Sequence, residues 1–122
     1  MEGESFSKTT QAQGKQFTSE VTWGQLMKTP VWSSKDNFPA ISPRQAEKAA
    51  TAKFRKFLKY VKSWDGWKCT DITLDNPYED EHWDYIVVFG PVDPDRGDLN
   101  DSIVIVVLMD GTVIEPSITD VK

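Results

Sequence analysis

His82 is the only histidine of the chain and Cys69 its only cysteine, so the side chains on which nucleophilic and metal chemistry most often draw are each present once. A Ser-His-Asp or Cys-His relay would have to pass through His82, which stands among Glu79, Asp80, Glu81 and Asp84 with no nucleophile marked beside it. An exposed turn histidine next to carboxylates needs no catalytic role. A zinc site built from several Cys or His residues cannot form within one chain of this composition. Cys69, in a stretch that alternates like a strand, reads as a small buried hydrophobe rather than a nucleophile. No Gly-rich phosphate loop is present, and no carboxylate pair has the context to assign an acid and a base. The chain is therefore expected to be no enzyme and to use no cofactor and no metal.

Two other groups of residues could bind without catalysing. The loop Asp93-Pro94-Asp95-Arg96-Gly97-Asp98-Leu99-Asn100-Asp101 is rich in the hard oxygen donors that calcium prefers. It lacks the EF-hand order, because Gly97 falls one place early and no Glu closes the loop, and turn formation by Asp, Asn, Gly and Pro accounts for its composition. Five tryptophans invite a stacking role. Trp64, Trp67 and Trp83 fall at element ends where core and rim packing explains them, whereas Trp23 and Trp32 are left as candidate exposed or interface aromatics.

The element that must organise these residues is a helix. Ser42 is a natural N-cap, Pro43 suits the first helical position, and Gln45 completes a capping box. Ala46, Ala50, Phe54, Phe57, Leu58 and Val61 then share an arc of about 120°, which predicts a core-facing helix from Pro43 to near Trp64. Arg44, Lys48, Arg55, Lys59 and Lys62 form a basic spine on the opposite side. Between Ser42 and Trp64 seven Lys or Arg stand against one Glu, while from Asp65 onward fourteen acidic residues stand against three basic ones. The net charge of -5 thus hides a polar division, with a basic helix drawn to an acidic remainder. The acidic balance argues against nucleic-acid binding.

Residues 1–20 hold only Phe6, Phe17 and little else to bury and are expected to form a disordered arm, leaving 21–122 as one α+β domain. Strands are predicted over Trp67–Leu74, Trp83–Phe89 and Ser102–Met109. The last of these has no polar face and must be covered on both sides. Asp110-Gly111 predicts a hairpin returning through Thr112–Ile118 as an edge strand. The second face of such a sheet is expected to be covered by the Trp23–Trp32 segment, or else by a second copy in a homodimer. No apolar run approaches the roughly 20 residues of a membrane helix, so no membrane insertion is expected. Met1–Glu20 lacks the apolar core of a signal peptide; a polar start such as Met1-Glu2-Gly3-Glu4-Ser5 is also what a removed signal leaves behind, and export is expected in that case.

Ser42-Pro43-Arg44-Gln45-Ala46 opening the helix, Trp67-Lys68-Cys69-Thr70-Asp71-Ile72, Trp83-Asp84-Tyr85-Ile86-Val87-Val88-Phe89, and Met109-Asp110-Gly111-Thr112-Val113 together resemble PepSY-like domains over roughly residues 41–116. The resemblance is closer still to small bacterial proteins that share the Trp-x-Tyr strand and the Met-Asp-Gly-Thr-Val hairpin. It implies one long helix packed on an antiparallel sheet of about four strands, in a bacterial and often exported protein. It also implies an inhibitory or interaction role rather than catalysis. The expected function is a non-enzymatic module binding a protein partner through Arg55 and Lys59, with Trp23 and Trp32 as an apolar patch. The alternative is an immunity-type protein whose acidic loops, around Glu79–Asp84 and at Asp95 and Asp98, neutralise a basic partner.

Overall fold

The computed structural model describes residues 3–12, 14–56, 67–91 and 101–121. Among them the chain runs β1 (Ser5–Ala12), β2 (Lys15–Thr22), α1 (Trp23–Met27), α2 (Pro43–Phe54), β3 (Trp67–Asp75), β4 (Asp84–Pro91), β5 (Ile103–Leu108) and β6 (Ser117–Asp120). These make two three-stranded antiparallel sheets, ordered β1-β2-β6 and β3-β4-β5, with only short helices. The expectation of one long helix on a single sheet of about four strands is overturned. The chain is mostly β.

The helix start forms as its caps require. The Ser42 hydroxyl accepts from the Gln45 amide at 3.1 Å and the Gln45 side chain accepts from the Ser42 amide at 2.7 Å. Ala46, Ala50 and Phe54 are buried at successive fourth positions. The expected continuation through Phe57, Leu58, Lys59 and Val61 lies outside the described residues.

Strand β5 is buried at all six positions. Ile103, Ile105 and Val107 join Phe54, Ala50, Tyr85, Val87 and Phe89 in the core beneath α2, where Phe54 and Phe89 stack with centroids 4.2 Å apart. Val106 and Leu108 face the other way, onto Val21 of β2, Leu26 of α1, and Ile114. The N-terminal hairpin therefore supplies much of the second cover. The Trp23–Trp32 segment contributes Leu26 and Met27 to it.

The arm expected over residues 1–20 is in fact this hairpin. Ser5 pairs with Thr22 and Ala12 with Lys15 across eight residue pairs. Its residues are polar enough to resemble a linker, but Phe17, Ser19 and Val21 alternate inward and are wholly buried. Period-two burial by so few apolar residues is enough once a strand as greasy as β5 lies opposite.

The return strand after Asp110-Gly111 is also corrected. The turn forms, with Gly111 at φ 89, but pairing with β5 is limited to a bridge between Val107 and Val113. Leu108 donates to the Thr112 carbonyl at 2.8 Å and Ile114 to the Val106 carbonyl at 2.9 Å. In this register the next donor would be the amide of Pro116, aimed at Val104, and proline has none. The chain leaves β5 there and β6 pairs with β2 instead. The abandoned edge of β5 is completed by the first sheet: Ser19 Oγ donates to the Val104 carbonyl at 3.5 Å, Thr10 Oγ1 accepts from the Val104 amide at 3.1 Å, and Ser102 donates to the Gln11 carbonyl at 3.0 Å.

A third correction concerns β3, where the register shifts between Cys69 and Asp71. Strict period-two alternation would set Cys69 beside Asp71 and Thr73; the bulge puts it on the side of Ile72 and Leu74, half-buried against the core.

Phe17, the third residue of β2, is wholly buried in a stretch whose sequence reads as a disordered arm, so it tests this arrangement. Phe17→Ala is expected to cost about 3–5 kcal/mol in urea unfolding, the range for a buried phenylalanine. A loss below about 1 kcal/mol would show that the hairpin is not part of the core.

Candidate functional site

The connection from β3 to β4, residues 76–83, has an inner and an outer side. Inside, Tyr78 packs edge-on against Phe6 of β1 with ring centroids 6.1 Å apart. Burial first, and then the nearby Glu4 carboxylate, push the Tyr78 phenol above its ordinary pKa. Outside, Trp83 meets Trp32 in a T-shaped pair at 5.5 Å and 64°. The two segments are also joined through the backbone, the Trp32 amide donating to the Glu81 carbonyl at 2.9 Å.

An open cavity of about 410 Å³ lies against this pair, lined by Trp32, Ser33, Ser34, Asp36, Asp80, Glu81 and Trp83. Its walls are held by local bonds. The Trp32 indole N–H donates to the Asp36 carbonyl at 3.1 Å, fixing the ring, and the Asp36 carboxylate accepts from the Ser33 amide and hydroxyl at 3.1 and 3.2 Å. Asp80 accepts from the His82 amide at 2.8 Å and lies 3.2 Å from His82 Nδ1. His82 thus steadies the turn from within it. Glu79 adopts φ 58, a left-handed conformation that costs a non-glycine residue about 1–2 kcal/mol and is held by the turn around it. Two indoles bordered by three carboxylates make a surface suited to a cation carried on an apolar stem.

At the neck of the same loop, Asp75 and Asp84 are directly paired across β3 and β4. Asp84 is fully buried and is opposite Leu108 on its other side. Apart from the Asp75 carboxyl and the Asp84 backbone amide, neither of its oxygens meets a donor among the described residues, and Asp75 Oδ2, Asn76 Oδ1 and the Tyr78 hydroxyl are also without a partner there. Two facing carboxyl groups, both acceptors when ionised, can be joined only through a shared proton. Burial first, and then the Asp75 carboxylate, push Asp84 up to about 8, against a smaller opposing pull from Lys8.

The residues expected from sequence to make contacts are scattered by comparison. Trp32 lines the cavity. Trp23 does not; it is half-buried in the first turn of α1, its amide donating to the Glu4 carbonyl at 2.8 Å. Arg55 is exposed at the end of α2 and lines a separate shallow groove of about 280 Å³ with Arg44, Glu47 and Lys48. Lys59, Asp95 and Asp98 lie outside the described residues. Sequence reasoning missed Trp83 and Asp36. Trp83 does pack against the core, as expected of a strand-end indole, but its exposed part forms the cavity wall. Among the described residues no group of three or more His, Cys, Asp or Glu is arranged to hold a metal ion. The Cys69 thiol is raised above its ordinary value, chiefly by burial.

No protein-family model, curated protein or solved structure matches the chain, so the site stands on its own geometry.

The carboxyl pair has a measurable consequence. Asp84 is protonated in the folded chain up to about pH 8 and ionised in the unfolded chain above about pH 4. Between those values the folded state holds the extra proton, so stability falls as pH rises through the window and levels off above it. The folding equilibrium constant is expected to drop by up to about tenfold per pH unit there. Asp84→Asn should remove that dependence and stabilise the protein at neutral pH. Urea unfolding at a series of pH values checks it; equal slopes for wild type and variant would exclude a raised Asp84.

Proposed function

We propose that the protein is a non-enzymatic binding module that captures a basic partner protein at the Trp32–Trp83 groove. The observation that carries this reading is the convergence of two indoles and the carboxylates of Asp36, Asp80 and Glu81 on one open cavity. An arginine or lysine side chain can lay its stem along an indole and its charge beside the carboxylates. Glu81 has no side-chain partner among the described residues, which leaves its charge available to a ligand. Of the two acidic surfaces read from the sequence, the one at Glu79–Asp84 lies among the described residues and carries this reading. The interaction role implied by the PepSY-like resemblance points the same way. Neutralisation of a toxic or inhibitory basic partner is the role such a surface fits.

A second reading places the contact on α2, where Arg44, Lys48 and Arg55 share an exposed face bordered by the shallow groove. There Glu47 pairs with Arg44 at 3.2 Å and offsets part of the charge. Opposite partners distinguish the two surfaces.

Titration with a synthetic oligoarginine peptide, followed by tryptophan fluorescence, tests the groove. Trp32→Ala is expected to weaken binding by about 2 kcal/mol, near thirtyfold in Kd, as for a central interface tryptophan. Asp80→Asn with Glu81→Gln should weaken it and flatten its salt dependence. Arg55→Glu should leave it unchanged or slightly stronger. Binding that survives both groove variants rules the groove out. An acidic peptide lost on Arg55→Glu would favour the helix face instead.

A further inference from the structure

The Asp75–Asp84 pair sits where β3 and β4 enter and leave the loop that carries Asp80, Glu81 and Trp83. We propose that these two carboxyl groups form a proton-dependent clasp that holds the groove-bearing loop in its binding conformation and releases it when the shared proton is lost. The inference rests on the groove reading for what the loop binds, but the clasp itself is a property of the hairpin.

The geometry supports a clasp at this place. Asp75↔Asp84 is the last residue pair of the β3–β4 ladder before the loop, so whatever joins or separates these side chains sets whether the ladder stays closed at that end. The pairs further along the same ladder, Thr73↔Ile86 and Leu74↔Tyr85, contain no ionisable carboxyl. Asp84 is wholly shielded from water, and among the described residues only the Asp75 carboxyl and the Asp84 backbone amide can bond its oxygens. Once ionised beside Asp75, it is a buried charge next to a like charge, and opening the neck to water is the available relief.

The groups facing Asp84 can be named element by element. Asp75 on β3 opposes its ionisation and Lys8 on β1 favours it, while β5 presents the uncharged Leu108. Tyr78 and Asn76, at the start of the loop, add a hydroxyl and an amide oxygen that are likewise buried without partners. Glu4, ahead of β1, acts on Tyr78. One cation is therefore set against a carboxylate pair, and the proton is what balances the neck. Among the described residues the buried polar side-chain atoms without partners all lie here, at the end of the ladder, where pairing can open without breaking the pairs behind it.

A gate differs in sign from a simple charge effect. Ionising Asp84 adds a negative charge near the groove, and Coulomb attraction alone would tighten the binding of a cation. A released loop weakens it. Arginine stays protonated throughout, so an oligoarginine probe does not titrate along with the protein.

The test combines a binding curve with a direct view of the hairpin. Carboxyl-¹³C NMR of the aspartates locates the group that titrates near pH 8, and the amide shifts of Asp80, Glu81 and Trp83 are followed over the same range. We expect those amides to move with that titration, and oligoarginine affinity to fall by about tenfold or more across the step, equivalent to at least 1.4 kcal/mol. In Asp84→Asn, which keeps a donor toward Asp75, both changes should vanish while the peptide still binds. Loop amides that stay still while the carboxyl titrates overturn the clasp, as does affinity that rises through the step. If oligoarginine binds at no pH, the groove reading fails by itself. The amide shifts then still support or overturn the clasp, and Asp75→Asn gives a second variant should Asp84→Asn fail to fold.

Discussion

A strand with no polar face has to be covered twice, and the rest of this fold follows from that requirement. Strand β5 presents Ile103, Ile105 and Val107 to one side and Val104, Val106 and Leu108 to the other, all of them buried. Helix α2, the inward residues of β3 and β4, and Ala12 and Phe17 of the N-terminal hairpin satisfy the first side. The second draws in β2, α1 and Ile114, and with them β1 and, through β2, the C-terminal β6. At roughly 1.5–3 kcal/mol per buried Val, Leu or Ile, these side chains outweigh the modest ordering preferences of the polar residues around them. That is why a hairpin of Ser, Thr, Lys and Gln becomes ordered at all.

Those features that depend on local chemistry were legible in the sequence. The Ser42–Gln45 capping box, the positions of β3, β4 and β5, and the Asp110-Gly111 turn each need only residues close together in the chain. The features that were misread depend on partners far away. Strands β1 and β2 look like a linker until β5 is placed opposite them, because Phe17, Ser19 and Val21 are a short inward pattern among polar residues. The return strand after Gly111 reads as a hairpin partner until the register shows that Pro116 falls where a donor is needed. The bulge at Cys69–Asp71 reverses a simple alternation, and nothing in a stretch read alone announces it.

The candidate site divides in the same way. Trp32 is legible as a candidate interface aromatic and Glu79–Asp84 as an acidic loop able to meet a basic partner. Their meeting is not, since Trp32 precedes α2 while Trp83 follows β3, and the two segments are tied by the Trp32–Glu81 backbone bond and the Trp32–Trp83 ring contact. Read alone, Asp84 is one of several acids at the entrance of the strand expected over Trp83–Phe89. Its burial follows from facing Leu108 across one ladder and Asp75 across the other, a relation set by register alone. Period-two reasoning applied to Asp75, Thr73 and Asp71 against Asp84, Ile86 and Val88 would have raised the question, given the right pairing.

The distribution of cost in the molecule supports a division of labour between the strand and the loop. Backbone groups at the edge of β5 are bonded by Ser19, Thr10, Gln11 and the 112–114 segment, so the core element carries little unsatisfied polarity. The loop from Asp75 to Asp84 gathers the opposite features: a left-handed Glu79, two facing carboxyl groups, and a buried amide oxygen and hydroxyl without partners among the described residues. Each such feature costs free energy in the folded state. Concentrated at the end of one ladder, they lower the cost of opening that loop without loosening β5, whose burial on both sides holds the two sheets together. The surface that presents Trp83, Asp80 and Glu81 is therefore built on the end of the hairpin where these costs gather, while β5, paired with β4 as far as Leu108, stays buried.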